Sequence, residues 1–152
     1  MYKPKHFELR GTNNATGDTI KFKLELYGTV TIVKGNSGIG KSLMCEIARQ
    51  MKKSRPKKDL KIEIFDLTNK KDFSIEILSK YKNRLIIVDD ANFLVYGDIL
   101  KYILMDDDNY YILFRRDNYD VKLSPNYYAS LSDDKKNGIF ELKYECSNKR
   151  WY

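Results

Sequence analysis

The chain has 152 residues, of which 42% are hydrophobic and 13% aromatic. That is enough apolar surface to build a core, which excludes a disordered polypeptide and reads as a single domain over residues 1–152. The net charge of +7 raises nucleic acid as a partner, to be weighed against a merely solvated basic surface.

The segment Met1-Tyr2-Lys3-Pro4-Lys5-His6 leads into no signal-peptide core, and no apolar run approaches the length of a membrane span. Cytoplasm is the default expectation. His6 receives no role. Phe7 to Leu9 and Ile20 to Leu26 alternate, with Ile20, Phe22, Leu24 and Leu26 on one face and Lys21, Lys23 and Glu25 on the other. Period two marks half-buried strands, and the turn-rich residues from Gly11 to Asp18 between them predict an antiparallel hairpin. Thr29-Val30-Thr31-Ile32-Val33 is the next strand, and Leu43, Met44, Ile47, Ala48 and Met51 form one stripe of a helix starting near Lys41. Cys45 packs in that helix; with Cys146 far away and no metal spacing, both read as reduced thiols.

Lysines and arginines gather at Lys52-Lys53-Ser54-Arg55-Pro56-Lys57-Lys58 and Lys61. A basic patch can contact nucleic acid, but no aromatics interleave here, and cations also complement a helix end. The solvated reading is favoured. Lys61 to Leu67 is a strand, Phe73, Ile77, Leu78 and Tyr81 mark a short helix with Asp72 as its cap, and Leu85-Ile86-Ile87-Val88 reads as a buried central strand. Ile99, Leu100, Ile103 and Leu104 form a helical stripe after Gly97-Asp98, and Tyr110-Tyr111-Ile112-Leu113-Phe114 is a further parallel strand. Residues 117–137 read as a loop with a turn at Ser124-Pro125, and Ile139 to Tyr144 alternates and closes the sheet. Strands alternating with helices predict a mainly parallel central sheet with right-handed crossovers.

Between the strand ending at Val33 and the helix lies Gly35-Asn36-Ser37-Gly38-Ile39-Gly40-Lys41-Ser42, a complete G-x-x-x-x-G-K-[ST] loop in a strand–loop–helix setting. Glycines let successive N–H groups converge on one anion, and the helix adds its positive N-terminal end. These residues and Leu43 are the expected phosphate-binding set. Lys41 would reach the β- and γ-phosphates and the Ser42 hydroxyl would ligate Mg²⁺. The competing reading is a Gly-rich turn with an ordinary cap at Ser42, which needs neither Lys41 nor so many glycines.

Asp89 follows Leu85–Val88 at the strand end where open α/β sheets place functional residues, suited to holding Mg²⁺ beside Ser42. Alternatively, Asp89-Asp90 merely starts a loop. Taken together, the two segments resemble the Walker A and Walker B motifs of P-loop NTPases. The resemblance is to the additional-strand class that includes the ABC and AAA+ ATPases, over roughly residues 20 to 116, and the N-terminal hairpin looks most like the ABC nucleotide-binding domain. It implies a three-layer α/β sandwich in which Tyr110–Phe114 inserts beside Thr29–Val33, with ATP or another NTP and Mg²⁺ as ligands.

The chain departs from these families in several places. No Leu-Ser-Gly-Gly-Gln signature occurs, since Leu131-Ser132-Asp133-Asp134 is not one, and no AAA+ lid follows the core. Asp90 stands where many hydrolysing relatives carry Glu, a shorter reach to the attacking water. Arg115 and Arg116 follow the strand where relatives place a γ-phosphate sensor; one of them could stabilise transition-state charge, or the pair is a surface feature. Phe7 resembles the aromatic base-stacker of ABC domains but also fits the core, while Tyr127-Tyr128 reads as core packing or as an interaction surface. The expectation is a minimal Mg-dependent ATP-binding protein, a slow ATPase using Lys41, Asp90 and Arg115 and completed by a homodimer or protein partner. Its rivals are a non-hydrolysing nucleotide switch or accessory subunit, a small-molecule kinase (no acceptor lid is visible), and a nucleic-acid ATPase working through Lys52–Lys61.

Overall fold

The computed structural model describes residues 5–34, 40–54, 61–115, 128–134 and 138–145. Eight strands, β1 (Lys5–Thr12), β2 (Thr19–Leu26), β3 (Val30–Lys34), β4 (Lys61–Phe65), β5 (Arg84–Val88), β6 (Tyr110–Arg115), β7 (Tyr128–Asp134) and β8 (Ile139–Tyr144), form one mixed sheet. Its spatial order is β1-β2-β8-β7-β3-β6-β5-β4. The helices are α1 (Lys41–Ser54), α2 (Ile75–Leu78), α3 (Ala91–Leu94) and α4 (Gly97–Met105), with a 3-10 helix at Leu67–Asp72.

The half-sheet β3-β6-β5-β4 is parallel throughout. β6 lies between β3 and β5, so Tyr110–Phe114 stands beside the strand that feeds the glycine-rich loop, as expected. Alternate residues of these strands enter different clusters: Leu85, Ile87, Ile112 and Phe114 join one, Ile86, Val88, Tyr111 and Leu113 the other. Because strand side chains alternate in direction, the two clusters lie on opposite faces of the sheet. Met44, Ile47 and Ala48 of α1 cover the first face, while Leu78, Ala91, Leu94 and Ile103 from the shorter helices cover the second. Both faces being buried is why β5 and β6 are apolar without alternation.

β1 and β2 form the expected antiparallel hairpin. Only one face of it is buried, by Phe7, Leu9, Phe22, Leu24 and Leu26. α1 holds the far end of β1: Gln50 donates through Nε2 to the Thr12 carbonyl (2.8 Å) and accepts from the Thr12 N–H (3.0 Å).

Several expectations require correction. β8 does not close the sheet; it is an interior strand, parallel to β2 and antiparallel to β7, and the edges are β1 and β4. Tyr144 of β8 ties it across to the strand before the loop: its hydroxyl donates to the Glu25 carbonyl (2.9 Å) and lies 3.1 Å from the Thr31 hydroxyl. Within the stretch read as a loop, residues 128–134 are the strand β7, which pairs parallel with β3 through Tyr128 and Ala129. The turn at Ser124-Pro125 lies outside the described residues. Asp72 caps nothing; it ends the 3-10 helix, and Ser74 caps α2 by accepting from the Ile77 N–H (3.2 Å). β4 stops at Phe65, short of Leu67. The Asp66 side chain accepts from the Thr68 N–H while Asn69 accepts from the Asp66 N–H, a reciprocal cap that turns the chain.

At the other end of the parallel strands a buried polar cluster fixes the turn into β6. Asp106 accepts through Oδ2 from the Tyr111 hydroxyl (2.6 Å) and Asn109 Nδ2 (2.9 Å), and through Oδ1 from the Asp108 N–H (2.8 Å). Asn109 also accepts from the Arg84 N–H (3.0 Å), which locks β5 to the start of β6.

Candidate functional site

β3, β5 and β6 are parallel and in register, with Val33 opposite Phe114, Lys34 opposite Arg115 and Val88 opposite Leu113. Their C-terminal ends therefore converge on one rim of the sheet, the position that open α/β sheets use for ligands. On this rim lie Lys34, Asp89 and Arg115, and the chain from Lys34 passes through the glycine-rich loop into α1. Of that loop, Gly35, Asn36, Ser37, Gly38 and Ile39 lie outside the described residues.

Gly40 is buried with φ +87, a left-handed conformation that glycine adopts without penalty. A Cβ there would stand 3.0 Å from Leu131 Cδ1 and 3.3 Å from Phe140 Cε2. The loop's last glycine is thus pressed against β7 and β8, a contact not visible in the loop's own spelling. The Gly40 carbonyl accepts from the Met44 N–H (2.7 Å), the first turn of α1. Lys41 opens the helix and is only 9% exposed, which is unusual for a lysine; Ser42 beside it is exposed and Leu43 half-buried.

Asp89 and Asp90 are half-buried. Asp89 is held by its own backbone N–H, which donates to the Phe65 carbonyl (2.8 Å), and its Oδ1 accepts from the Asp90 N–H (2.8 Å). Asp90 has φ +53, starts α3 and does not cap it through its side chain. Aspartate is among the few residues that tolerate this backbone. Asp89 and Asp90 form the turn that leads the chain from β5 into the short helix α3.

One turn into α1, Cys45 is 3% exposed and its thiol is pushed up to about 12, by burial first and then by the negative charge of Asp89. Asp66 and Asp90 push the same way and Arg49 opposes them. The start of α1 therefore sits over the ends of β4 and β5. Arg49 reaches across to Asp66 (2.7 Å). Burial works to raise the Asp66 carboxyl, but hydrogen bonds from Thr68 and the Arg49 charge outweigh it and hold it below its ordinary value.

Arg115 ends β6 and is 5% exposed, so it is a buried residue of the rim and not half of a surface pair. Arg116 lies outside the described residues. Lys34 belongs to no motif in the sequence. It stands directly opposite Arg115, bonded to Glu145 (2.9 Å) and 5.2 Å from the centre of the Tyr128 ring. Only its place just before the loop hinted at this.

Phe7 takes the core reading: 8% exposed, it packs edge-on against Tyr110 at 5.4 Å between ring centres and is not on offer to a base. Tyr128 is likewise packed against the second cluster; Tyr127 lies outside the described residues. His6 is exposed, 3.6 Å from Glu25. Of the basic stretch, Lys52 is bound to Glu63 (2.7 Å), which also pairs with Arg84. Residues 55–60 of that stretch and Cys146 lie outside the described residues. Among the described residues no group of three or more His, Cys, Asp or Glu side chains could hold a metal alone, and no helix is long and apolar enough to cross a membrane.

No protein-family model matches the chain, nor does any curated protein or solved structure.

Proposed function

We propose that this chain is a P-loop NTPase of the additional-strand class: a Mg-dependent ATP-binding protein with slow hydrolysis, completed by a partner or a second copy. The observation that carries the reading is the position of the loop. A complete G-x-x-x-x-G-K-[ST] sequence runs from β3 into α1, and Asp89 directly follows β5 on the same rim, with β6 between the two strands.

The residues fit the ligand. Mg²⁺ is commonly held by one or two protein oxygens together with phosphate oxygens, so the lack of an all-protein cage among the described residues is compatible with it. Ser42 and Asp89 would hold the metal. Lys41 and the amides of Gly35, Asn36, Ser37, Gly38, Ile39, Gly40, Ser42 and Leu43 would bind phosphates, with the N-terminal end of α1 favouring negative charge. The metal would supply neutralisation of phosphate charge. Asp90 would orient water, and Arg115 would place positive charge near the γ-phosphate. A partner is part of the reading because isolated cores of this kind commonly receive stabilising groups in trans.

A second reading, a nucleotide switch without useful hydrolysis, draws on Asp90 itself. It is one methylene shorter than Glu, and its backbone is committed to starting α3. Phosphate release with and without Asp90→Asn separates the two, equal rates removing the catalytic role. The primary test is calorimetric titration of Mg-ATP and Mg-GTP into the wild type and Lys41→Ala. Binding lost in the variant supports the site and reveals its base preference. Binding that survives at full strength in Lys41→Ala, or heat from neither nucleotide in the wild type, counts against the reading.

A further inference from the structure

A groove of about 660 Å³ lies on the same rim, between the segments that follow β4 and β5. Its floor is Phe73 and Leu94, each 8% exposed. Its walls are Leu67, Phe93 and Tyr96, exposed by 43%, 61% and 60%. Large apolar side chains left in water around a groove mark an interaction surface. The fold does not need them there: α3 is anchored through Ala91 and Leu94, and Tyr96 precedes α4 without capping it through its side chain. The charged lining residues are Lys70 and Lys71.

The most exposed large hydrophobic side chain among the described residues is Met105, at 81%, with Leu104 beside it at 37%. Both end α4, and exposed Asp107 and Asp108 follow. Asp108 is already bound to Lys82 (2.6 Å), so Asp107 is the carboxylate this knob offers, with exposed Lys101 one turn back along α4. Knob and groove are complementary: a thioether is suited to aromatic walls, and an aspartate to the two lysines.

They cannot meet within one molecule. The groove's Tyr96 stands at the start of α4 and Met105 at its end, nine helical residues away, a separation of ~14 Å. We propose that the groove of one copy takes the Leu104–Met105 end of α4 from a second copy, with Asp107 facing Lys70 and Lys71. The contact is heterologous, head to tail, because each copy presents two different surfaces. It stands apart from the nucleotide reading and is tested without nucleotide.

The experiment is sedimentation velocity over a wide concentration range on the wild type, Met105→Ser and the double variant Phe93→Ser/Tyr96→Ser, with circular dichroism melts as the folding control. The wild type should rise in mass with concentration. Each variant should need at least a tenfold higher concentration for the same rise. Mixed together, the two variants should form a 1:1 complex that grows no further, since one keeps only the groove and the other only the knob. Asp107→Lys should weaken wild-type assembly, and Lys70→Glu/Lys71→Glu should accept the Asp107→Lys knob better than its own. A wild type that stays monomeric at every concentration overturns the proposal. So does Met105→Ser assembling like the wild type, which would mean groove-to-groove pairing, or a mixture that forms no complex.

Discussion

Gly40 offers the sharpest test of how the loop is built into the sheet. Gly40→Ala forces a Cβ onto a backbone at φ +87 and presses it to 3.0 Å from Leu131 Cδ1 and 3.3 Å from Phe140 Cε2. The left-handed backbone alone costs about 1 kcal/mol for alanine. Crowding a packed site adds about 1–3 kcal/mol, at the low end here because half-buried Leu131 can yield. Gly17 is the internal control: it has φ +80 in the hairpin turn, but a Cβ there meets nothing within 4 Å. Gly17→Ala should therefore cost about 1 kcal/mol and Gly40→Ala about 2–3 kcal/mol. Urea unfolding at 25 °C reads both, and the melting temperatures should fall by about 2–4 °C and 4–12 °C. In a Leu131→Ala background the cost of Gly40→Ala should drop toward that of Gly17→Ala. Equal costs for the two glycines would refute the contact between the loop and β7–β8. No cost for either would refute the backbone argument.

Tyr111→Phe removes a donor from a buried carboxylate that keeps its bonds from Asn109 and Asp108, so it should destabilise by about 1.5–2 kcal/mol in the same assay. The same residue predicts an alkaline limit. Burial, then the hydrogen bond to Asp106, hold the Tyr111 phenol far above its ordinary 10.0. Above about pH 10 the unfolded chain gives up this proton while the folded protein keeps it, so this group lowers stability by about 1.4 kcal/mol per pH unit. Urea midpoints measured at successive alkaline pH values should fall less steeply in Tyr111→Phe; identical slopes would show that the phenol does not contribute. Finally, Cys45 should react with a thiol reagent at pH 8 at least about 100-fold more slowly when folded than in denaturant, followed in a Cys146→Ser background. Rapid labelling of the native protein would contradict its burial and raised pKa.

Much of the fold can be read along the chain because its signals are local. The alternation of Ile20, Phe22, Leu24 and Leu26 marks β2 wherever that strand ends up, and the apolar run Leu85–Val88 can satisfy itself only as a strand buried on both faces. The loop spelling from Gly35 to Ser42, its setting and the carboxylate at Asp89 are equally local, because the chemistry they suggest depends on residue types at fixed spacing. β7 is different. Ala129, Ser130 and Ser132 carry little intrinsic strand preference, and the segment is a strand because β3 and β8 offer it partners on either side. The interior place of β8 also depends on partners: alternation says that Ile139–Tyr144 has one buried face, not which strands it joins. The burial of Lys41 and Arg115, the pressure of Leu131 and Phe140 on Gly40, and the facing of Lys34 and Arg115 all join residues far apart in the chain. Sequence determined the periodicities and the loop's chemistry; only the tertiary structure decided which strand ends share a rim, because pairing energy comes from contacts that no single segment contains.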